Sequence, residues 1–307
     1  MPRAIILYEI DPSFGPNILA EYYLKQNDKI PPAILKEFSE KHIKKENLRV
    51  TIRKDNNRYY SSKVNAESID KENLFLAFIL QEEEDLISLK SIFENIEEKA
   101  IQGFSTDKKK MNDILKNGLN SFLSLLQKLK EPEIIKDILN ERTKKMLDDG
   151  QLQEARELID LGEDIPQKLA EEVEFADRLL KETLYKKAKK SFLKAAELAA
   201  LIQEEEITSF LQNKGEQVGM FPELLKERDI LYKETTKIIN QFLGEKLDIY
   251  NQLIEPIDRL IEISDTFEEH ELIDDLIQLK NKIERASRSG KDLKGLELKI
   301  KESLDKI

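Results

Sequence analysis

Residues 74–80, LFLAFIL, decide the fold of this chain, because they form an apolar run without a polar face. A strand with one face in water alternates apolar and polar side chains, whereas a strand covered on both faces does not. The run is far shorter than the roughly 20 residues that a membrane-spanning helix needs. We therefore predict that residues 74–80 are the central strand of a sheet and are buried on both sides.

Four more strands are predicted before this run. Residues 4–9 (AIILYE) and 18–23 (ILAEYY) flank a cluster of turn-forming residues and predict a hairpin. Residues 48–53 alternate apolar and polar side chains, which predicts a strand with one face in water. Residues 58–64 are its predicted partner, across a tight turn at residues 55–57.

Two helices complete this N-terminal region in the prediction. Pro31-Pro32 precedes an amphipathic stretch and suits the first turn of a helix. Residues 85–102 repeat apolar side chains every three or four positions and end at Gly103. The predicted order is β-β-α-β-β-β-α, and a five-stranded antiparallel sheet with helices buries the apolar faces in this order. We assign this domain to residues 1–104.

The rest of the chain is predicted to be helical. Residues 105–110 are polar and predict a linker, and residues 111–307 show only helical periodicity. The expected fold class is therefore α+β, with an all-α array of helical hairpins after the sheet. Glycine and proline predict the ends of the helices in this arm. The predicted breaks include Gly162, Pro166, Gly219, Phe221-Pro222 and Ser289-Gly290, and Pro256 predicts a kink or a split.

One repeat is visible in the arm. Two stretches 33 residues apart match in register: Leu152, Ala155 and Ile159 in the first, and Tyr185, Ala188 and Phe192 in the second, which continues with Ala195 and Leu198. This pattern of small and large residues resembles a tetratricopeptide (TPR) unit and is clearest over residues 137–203. Gly162 departs from the pattern. A plain helical bundle whose alanines happen to fit is the alternative.

Charge excludes one large class of partner. The chain has 50 Lys and Arg, 61 Asp and Glu, and a net charge of −11. Residues 111–307 hold 32 basic and 42 acidic side chains, so the arm carries most of the negative charge. Nucleic-acid binding requires a basic footprint, and we expect none. The abundance of Ile, Lys and Glu is typical of archaeal or AT-rich microbial proteins.

No catalytic, cofactor or metal site is predicted. The chain has 2 His and no Cys. The absence of Cys excludes disulfides, thiolate chemistry and Cys-ligated metals. His42 and His270 are predicted to be surface residues on helices. Gly290-Lys291 lacks the other residues of a phosphate-binding loop and predicts an inter-helix turn. The acidic run at residues 81–85 predicts a helix start, with a hard-cation site as the minor alternative. Tyr59-Tyr60 predict sheet packing rather than base stacking.

The basic run Lys186, Lys187, Lys189 and Lys190 is the candidate partner-binding site. It should lie on the outward side of a helix, as a solvated face or as a contact for an acidic partner or a membrane surface. No apolar run spans a bilayer, so we expect a cytoplasmic protein with at most peripheral membrane association.

The N-terminal region resembles a known family. MPRAIILYEID and GPNILAEYYL, the helix after Pro32, the three later strands and the closing helix together resemble a longin domain. This profilin-like fold occurs in trafficking adaptors, vesicle fusion proteins and regulators of small GTPases. The resemblance covers about a third of the chain and rests on the order of elements. Roadblock-like and PAS-like sheets are the alternatives, although a roadblock domain normally starts with a helix.

The function that these features favour is a non-catalytic interaction scaffold or adaptor. The sheet domain would bind a folded partner, and the arm would offer a groove between helical hairpins. The longin resemblance implies a small GTPase, or a trafficking or complex-assembly factor, as the partner. The alternative is a PAS-like domain that senses a small molecule, with the arm as output and dimerisation element.

Overall fold

The computed structural model describes residues 2–11, 13–25, 28–44, 47–64, 69, 71, 73–81, 86–240 and 249–304. It confirms the α+β class, because a five-stranded antiparallel sheet is followed by helices alone in the described part of the arm. The strands are β1 Ala4–Asp11, β2 Gly15–Tyr23, β3 Arg49–Lys54, β4 Asn57–Lys63 and β5 Leu74–Gln81. The helices are α1 Pro32–Ser39, α2 Leu86–Gln102, α3 Lys108–Lys130, α4 Pro132–Asp148, α5 Leu152–Lys181, α6 Tyr185–Leu201, α7 Glu205–Asn240, α8 Ile249–Thr266 and α9 His270–Leu304.

The sheet has the strand order β2-β1-β5-β4-β3. The apolar run that became β5 lies in the middle, and its residues from Leu74 to Leu80 are all buried, as predicted. Both predicted hairpins are present, and each pairs its strands antiparallel. Asp55 and Asn56 form the turn between β3 and β4 with φ of 52° and 58°, because Asp and Asn adopt this left-handed region more readily than other non-glycine residues.

Each face of the sheet is covered by helices. Helix α1 covers one face, where the ring of Tyr8 stacks between those of Phe38 and Phe75 at centroid distances of 6.3 and 5.4 Å. Helices α2 and α3 cover the other face, where the ring of Phe93 lies 4.0 Å from that of Phe78. The side chains that α3 adds to this second core are Met111, Leu115, Leu119 and Phe122.

Helix α3 also covers the edge of the sheet at β2. Its Asn112 accepts a hydrogen bond at 2.9 Å from the backbone N–H of Glu21. Asp107 caps the start of the helix, since its side chain accepts from the N–H groups of Lys109 and Lys110. The stretch predicted as a linker, residues 105–110, therefore contains the cap and the first turn of α3. The domain limits drawn from the sequence stay a prediction.

Contacts divide the chain into two units, which we describe separately. The first comprises Met1–Ser39 and Leu48–Pro222, and the second comprises Glu40–Asn47 and Glu223–Ile307. In the first unit, α4, α5, α6 and the start of α7 follow one another as hairpins. Three-residue turns join them, and the middle residues Gly150, Thr183 and Gln203 have φ of 76°, 59° and 58°.

The second unit has its own core, built mainly by α8 and α9. Five buried side chains form it: Leu253, Ile257, Leu260, Leu276 and Ile283. A further three-residue turn joins α8 to α9, with Glu268 at φ 57°. The π-helical turn Glu40–Lys44 also belongs to this unit, and Asn47 donates from Nδ2 to Asp274 Oδ1 at 3.2 Å.

Several predicted helix ends are wrong. Gly162 and Pro166 lie inside α5, Gly219 and Pro222 inside α7, and Gly290 inside α9. Pro256 lies inside α8, so the predicted split there is wrong, whereas the kink stays a prediction. An internal proline costs about 3 kcal/mol, but side chains buried on both sides of it outweigh that cost. In α5, Leu158 and Ile165 are buried before Pro166, and Leu169 and Val173 are buried after it. The stretches predicted as separate helices on either side of Gly162 and Pro166 are therefore one helix of 30 residues.

Candidate functional site

The basic ridge, Lys186, Lys187, Lys189 and Lys190, lies at the start of α6. Lys186, Lys187 and Lys190 are exposed to solvent. Lys189 is half-buried because its aliphatic stem packs over Gly219 of α7. The approach is close, since a methyl group added to Gly219 would lie 2.5 Å from Lys189 Cδ. The ridge therefore presents three exposed ammonium groups beside a fourth that is held by packing.

Other lysines near the ridge have carboxylate partners. Lys194, on the same helix, lies 2.6 Å from Glu172 of α5, and Lys214 of α7 lies 2.7 Å from Asp177. Among the residues that the structure describes, none of the four ridge lysines has an ion-pair partner. The first turn of α6 contains no acidic residue, and the cap residue Leu184 makes no side-chain hydrogen bond to it. The ridge is thus a concentration of positive charge that no ion pair between described residues neutralises.

A groove in the sheet domain is a second candidate site, and no sequence pattern pointed to it. It lies between β3, β4 and α2, and it encloses about 400 Å³. Tyr60 and Phe93 form its floor, with ring centroids 5.3 Å apart. The residues around the floor are Arg49, Ser62, Lys63, Glu94, Glu97, Glu98, Ile101 and Gln102.

The walls of this groove carry opposite charges. Arg49 and Lys63 project from the strands, and Glu94, Glu97 and Glu98 project from α2. Arg49 Nη2 lies 3.8 Å from Glu94 Oε1, a long ion pair between partly exposed groups. The spacing of the three glutamates places them on one helix face. That spacing was visible in the sequence, but the packing of α2 beside the β3–β4 hairpin was not.

Glu204 is a buried acidic residue whose carboxylate is paired within the protein. It lies in the turn between α6 and α7 and is 3% exposed. Its two carboxylate oxygens lie 2.6 Å from Arg142 of α4 and 2.9 Å from Lys128 of α3. Both oxygens are used within the protein, so we assign Glu204 to joining these helices and not to chemistry.

His42 is buried, and its prediction as a surface residue is wrong. It is 5% exposed, and its Nδ1 lies 2.6 Å from the backbone oxygen of Asn47. A carbonyl oxygen only accepts, so Nδ1 carries the proton in this contact. The π-helical turn places the ring towards the following loop, which helical periodicity did not predict.

The remaining predictions have mixed outcomes. Tyr59 and Tyr60 are buried in the two cores of the sheet domain, which confirms sheet packing. Gly290-Lys291 lies inside α9, so the predicted inter-helix turn is wrong. His270 begins α9, as a helix-start residue. Of the acidic run at 81–85, Gln81 ends β5 and residues 82–85 lie outside the described residues.

Two features are absent from the described residues. No three His, Asp or Glu side chains in the described part of the chain lie close enough together to hold a metal ion. Within the same residues, every helix is too short or too polar to cross a bilayer.

Comparison with known proteins adds no assignment. No protein-family model matches the chain, and no curated protein matches it significantly.

Proposed function

We propose that this protein is a non-catalytic interaction scaffold whose sheet domain binds a folded partner protein. The resemblance to longin domains rests on the order β-β-α-β-β-β-α, and this order is present from β1 to α2. One helix covers one face of the sheet and two cover the other, so the domain has a complete core of its own. The resemblance implies a small GTPase, or a trafficking or complex-assembly factor, as the partner.

The observation that carries the proposal is the groove between β3, β4 and α2. Protein interfaces combine buried aromatic anchors with charged groups around them, and arginine is enriched among these groups. The groove supplies Tyr60 and Phe93 as its floor and Arg49 at its rim. A partner side chain that enters the groove would contact both rings and displace the long pair between Arg49 and Glu94.

The helical arm is the second part of the scaffold. Two features support TPR-like stacking: Ala188 and Ala195 are fully buried on α6, and Gly215 of α7 approaches Phe192 closely, since a methyl group there would lie 3.2 Å from Phe192 Cβ. The continuous α5 departs from a regular repeat. We therefore propose an irregular array of hairpins that provides docking surfaces.

Binding of the full-length chain to small GTPases tests this function. Each GTPase of a panel is loaded with GDP or with a non-hydrolysable GTP analogue, and affinity is measured by surface plasmon resonance. We expect one GTPase to bind at least tenfold more tightly in one nucleotide state. Arg49→Ala should weaken that binding about tenfold, because a desolvated charge contact at an interface contributes roughly 1–2 kcal/mol.

Arg53→Ala is the matched control for this experiment. Arg53 lies on the same strand but is exposed and does not line the groove. Its replacement should change affinity less than twofold. Equal loss in both variants, or no binding by any GTPase in either nucleotide state, would contradict the proposal.

The volume of the groove favours a second candidate function, the small-molecule sensor. About 400 Å³ lies within the range of roughly 300–1,000 Å³ that small-molecule sites occupy. Native mass spectrometry of the purified full-length chain tests this candidate. A bound compound that the Arg49→Ala variant does not retain would support the sensor, and an unliganded chain with GTPase affinity would support the scaffold.

A further inference from the structure

The basic ridge on α6 is unfavourable for the stability of the helix that carries it. The start of a helix is the positive end of its dipole, where acidic side chains stabilise and lysines destabilise. Lys186 and Lys190 are four residues apart, and Lys187 and Lys190 are three apart, so these like charges repel on one helix face. Among the described residues no ion pair offsets this repulsion, and local arrangements that oppose folding are expected at functional sites.

The basic residues of the ridge are all lysines, and this favours a surface of mobile anionic headgroups over the ordered carboxylates of a folded protein. Arginine presents a planar fork that matches carboxylates, and it is enriched in protein interfaces, from which lysine is depleted. Lysine is a flexible point charge that requires no fixed geometry. A surface of many mobile negative headgroups therefore fits this ridge better than the ordered carboxylates of a folded protein.

An apolar side chain lies next to the ridge. Leu184, the residue before α6, is 40% exposed. Segments that lie on a bilayer surface combine cations, which contact the headgroups, with apolar groups, which enter the interface, and Leu184 supplies one such apolar group beside the ridge. At 0.1 M salt, screening over about 10 Å limits repulsion between such a surface and more distant acidic residues of the chain.

We propose that the basic ridge, together with Leu184, contacts the anionic headgroups of a phospholipid bilayer surface. Each lysine near such a surface raises the affinity roughly fivefold. Four lysines and one leucine give a reversible and salt-dependent contact, far weaker than insertion of a spanning helix. This inference rests on α6 and is independent of the groove in the sheet domain.

Flotation of the full-length chain with lipid vesicles tests the inference. Vesicles of phosphatidylcholine alone are compared with vesicles that contain about 30% phosphatidylserine, at roughly 50 and 300 mM NaCl. We expect binding to the phosphatidylserine vesicles at the lower salt and release at the higher. The triple variant Lys186→Gln, Lys187→Gln, Lys190→Gln should reduce the partition coefficient about a hundredfold, from roughly fivefold per lysine.

The chain offers a control of identical charge. Lys108, Lys109 and Lys110 form a second run at the start of α3, and all three are exposed. Replacing these three by Gln should leave vesicle binding within about threefold of the wild-type value. Circular dichroism should show the same helix content in both variants, because every substituted side chain is exposed.

Three outcomes would overturn the inference. The first is equal partition of the wild-type chain into both kinds of vesicle at the lower salt concentration. The second is an equal loss of binding in the ridge variant and the control variant. The third is ridge-dependent binding to poly-L-glutamate without binding to phosphatidylserine vesicles, which would assign the ridge to an acidic polypeptide. None of these outcomes bears on GTPase binding by the sheet domain.

Discussion

The side chain of Glu204 links α3 and α4 to the turn that precedes α7. Its carboxylate contacts Arg142 and Lys128, and Arg142 also donates from Nη1 to the backbone oxygens of Ile202 and Gln203 at 3.3 Å. A buried carboxylate is stable only while its cationic partners remain in place, and the buried cations likewise need the carboxylate. The three helices α3, α4 and α7 therefore depend on one another through this group.

Glu204→Gln should lower the free energy of unfolding by about 2–3 kcal/mol. Breaking a fully buried pair costs roughly 3–5 kcal/mol, and the partial exposure of Arg142 and Lys128 reduces that figure. Urea denaturation followed by circular dichroism measures the change. Glu205→Gln, one residue further along and exposed, is the control and should change stability by less than about 0.5 kcal/mol. Equal effects in the two variants would argue against the network.

Glu9 gives a prediction about pH. The hydrogen bond from Lys71 and a second one from Asn17 lower the pKa of the Glu9 carboxyl below its ordinary value. A lowered folded-state pKa means that the stabilisation is complete above the unfolded pKa of 4.5. It is then lost as pH falls through the folded pKa. Both side chains are about one-third exposed, so the contribution at neutral pH is below about 1 kcal/mol.

Glu9→Gln should accordingly reduce stability at pH 7 and have almost no effect at pH 3. The free energies of unfolding of the variant and the wild-type chain, measured at both pH values, check this expectation. Glu157→Gln, an exposed residue of α5, should show no difference between the two pH values. A Glu9→Gln effect of the same size at pH 3 would contradict the assignment.

At the scale of the element, the sheet was easier to predict than the helices. The apolar run of β5 and the Asp-Asn turn between β3 and β4 have local causes, and both are where the sequence places them. Glycine and proline in the arm also suggested local structure, but tertiary packing overrides it there. Gly219 was predicted to break a helix, yet it lies inside α7 and permits close contact with Lys189 of α6. The groove was missed because it depends on which elements become neighbours.

Two glycines inside helices should respond in opposite ways to alanine. At Gly162 an added methyl group would make ordinary contacts of 3.5 and 3.8 Å with Leu139, so Gly162→Ala should stabilise by about 1 kcal/mol. At Gly215 the methyl group would lie 3.2 Å from Phe192 Cβ and 3.4 Å from Leu193. Overpacking there should outweigh the helix propensity and lower stability by about 1 kcal/mol. Thermal and urea unfolding of the two variants and the wild-type chain shows whether each substitution raises or lowers the free energy of unfolding.

At the scale of the whole molecule, α3 belongs to the core of the sheet domain. Met111, Leu115, Leu119 and Phe122 are each at most 4% exposed in that core. Burying each such side chain contributes roughly 1.5–3 kcal/mol. Their sum is comparable with the total stability of a typical domain, about 5–15 kcal/mol. The periodicity of α3 was clear in the sequence, but nothing local indicated that it packs on the sheet.

A fragment of residues 1–131 should therefore fold better than one of residues 1–105. The longer fragment should unfold cooperatively in urea, whereas the shorter one should bind the dye ANS and unfold without a sharp transition. Both fragments contain Glu40–Asn47 without the rest of its unit, so the comparison isolates α3. Equal cooperativity in the two fragments would show that α3 is dispensable.

Glu40–Asn47 belongs to the second unit, whose other residues, Glu223–Ile307, are synthesised much later. Asn47 hydrogen-bonds Asp274, which is 227 positions later. A ribosome that adds about 5–20 residues per second needs roughly 10–45 s to travel that distance. During this interval the segment has left the exit tunnel while its binding site has not yet been translated. The second unit therefore cannot be completed until residue 274 has been synthesised, and in nascent chains stalled before that residue the hydrogen bond from Asn47 to Asp274 is not made.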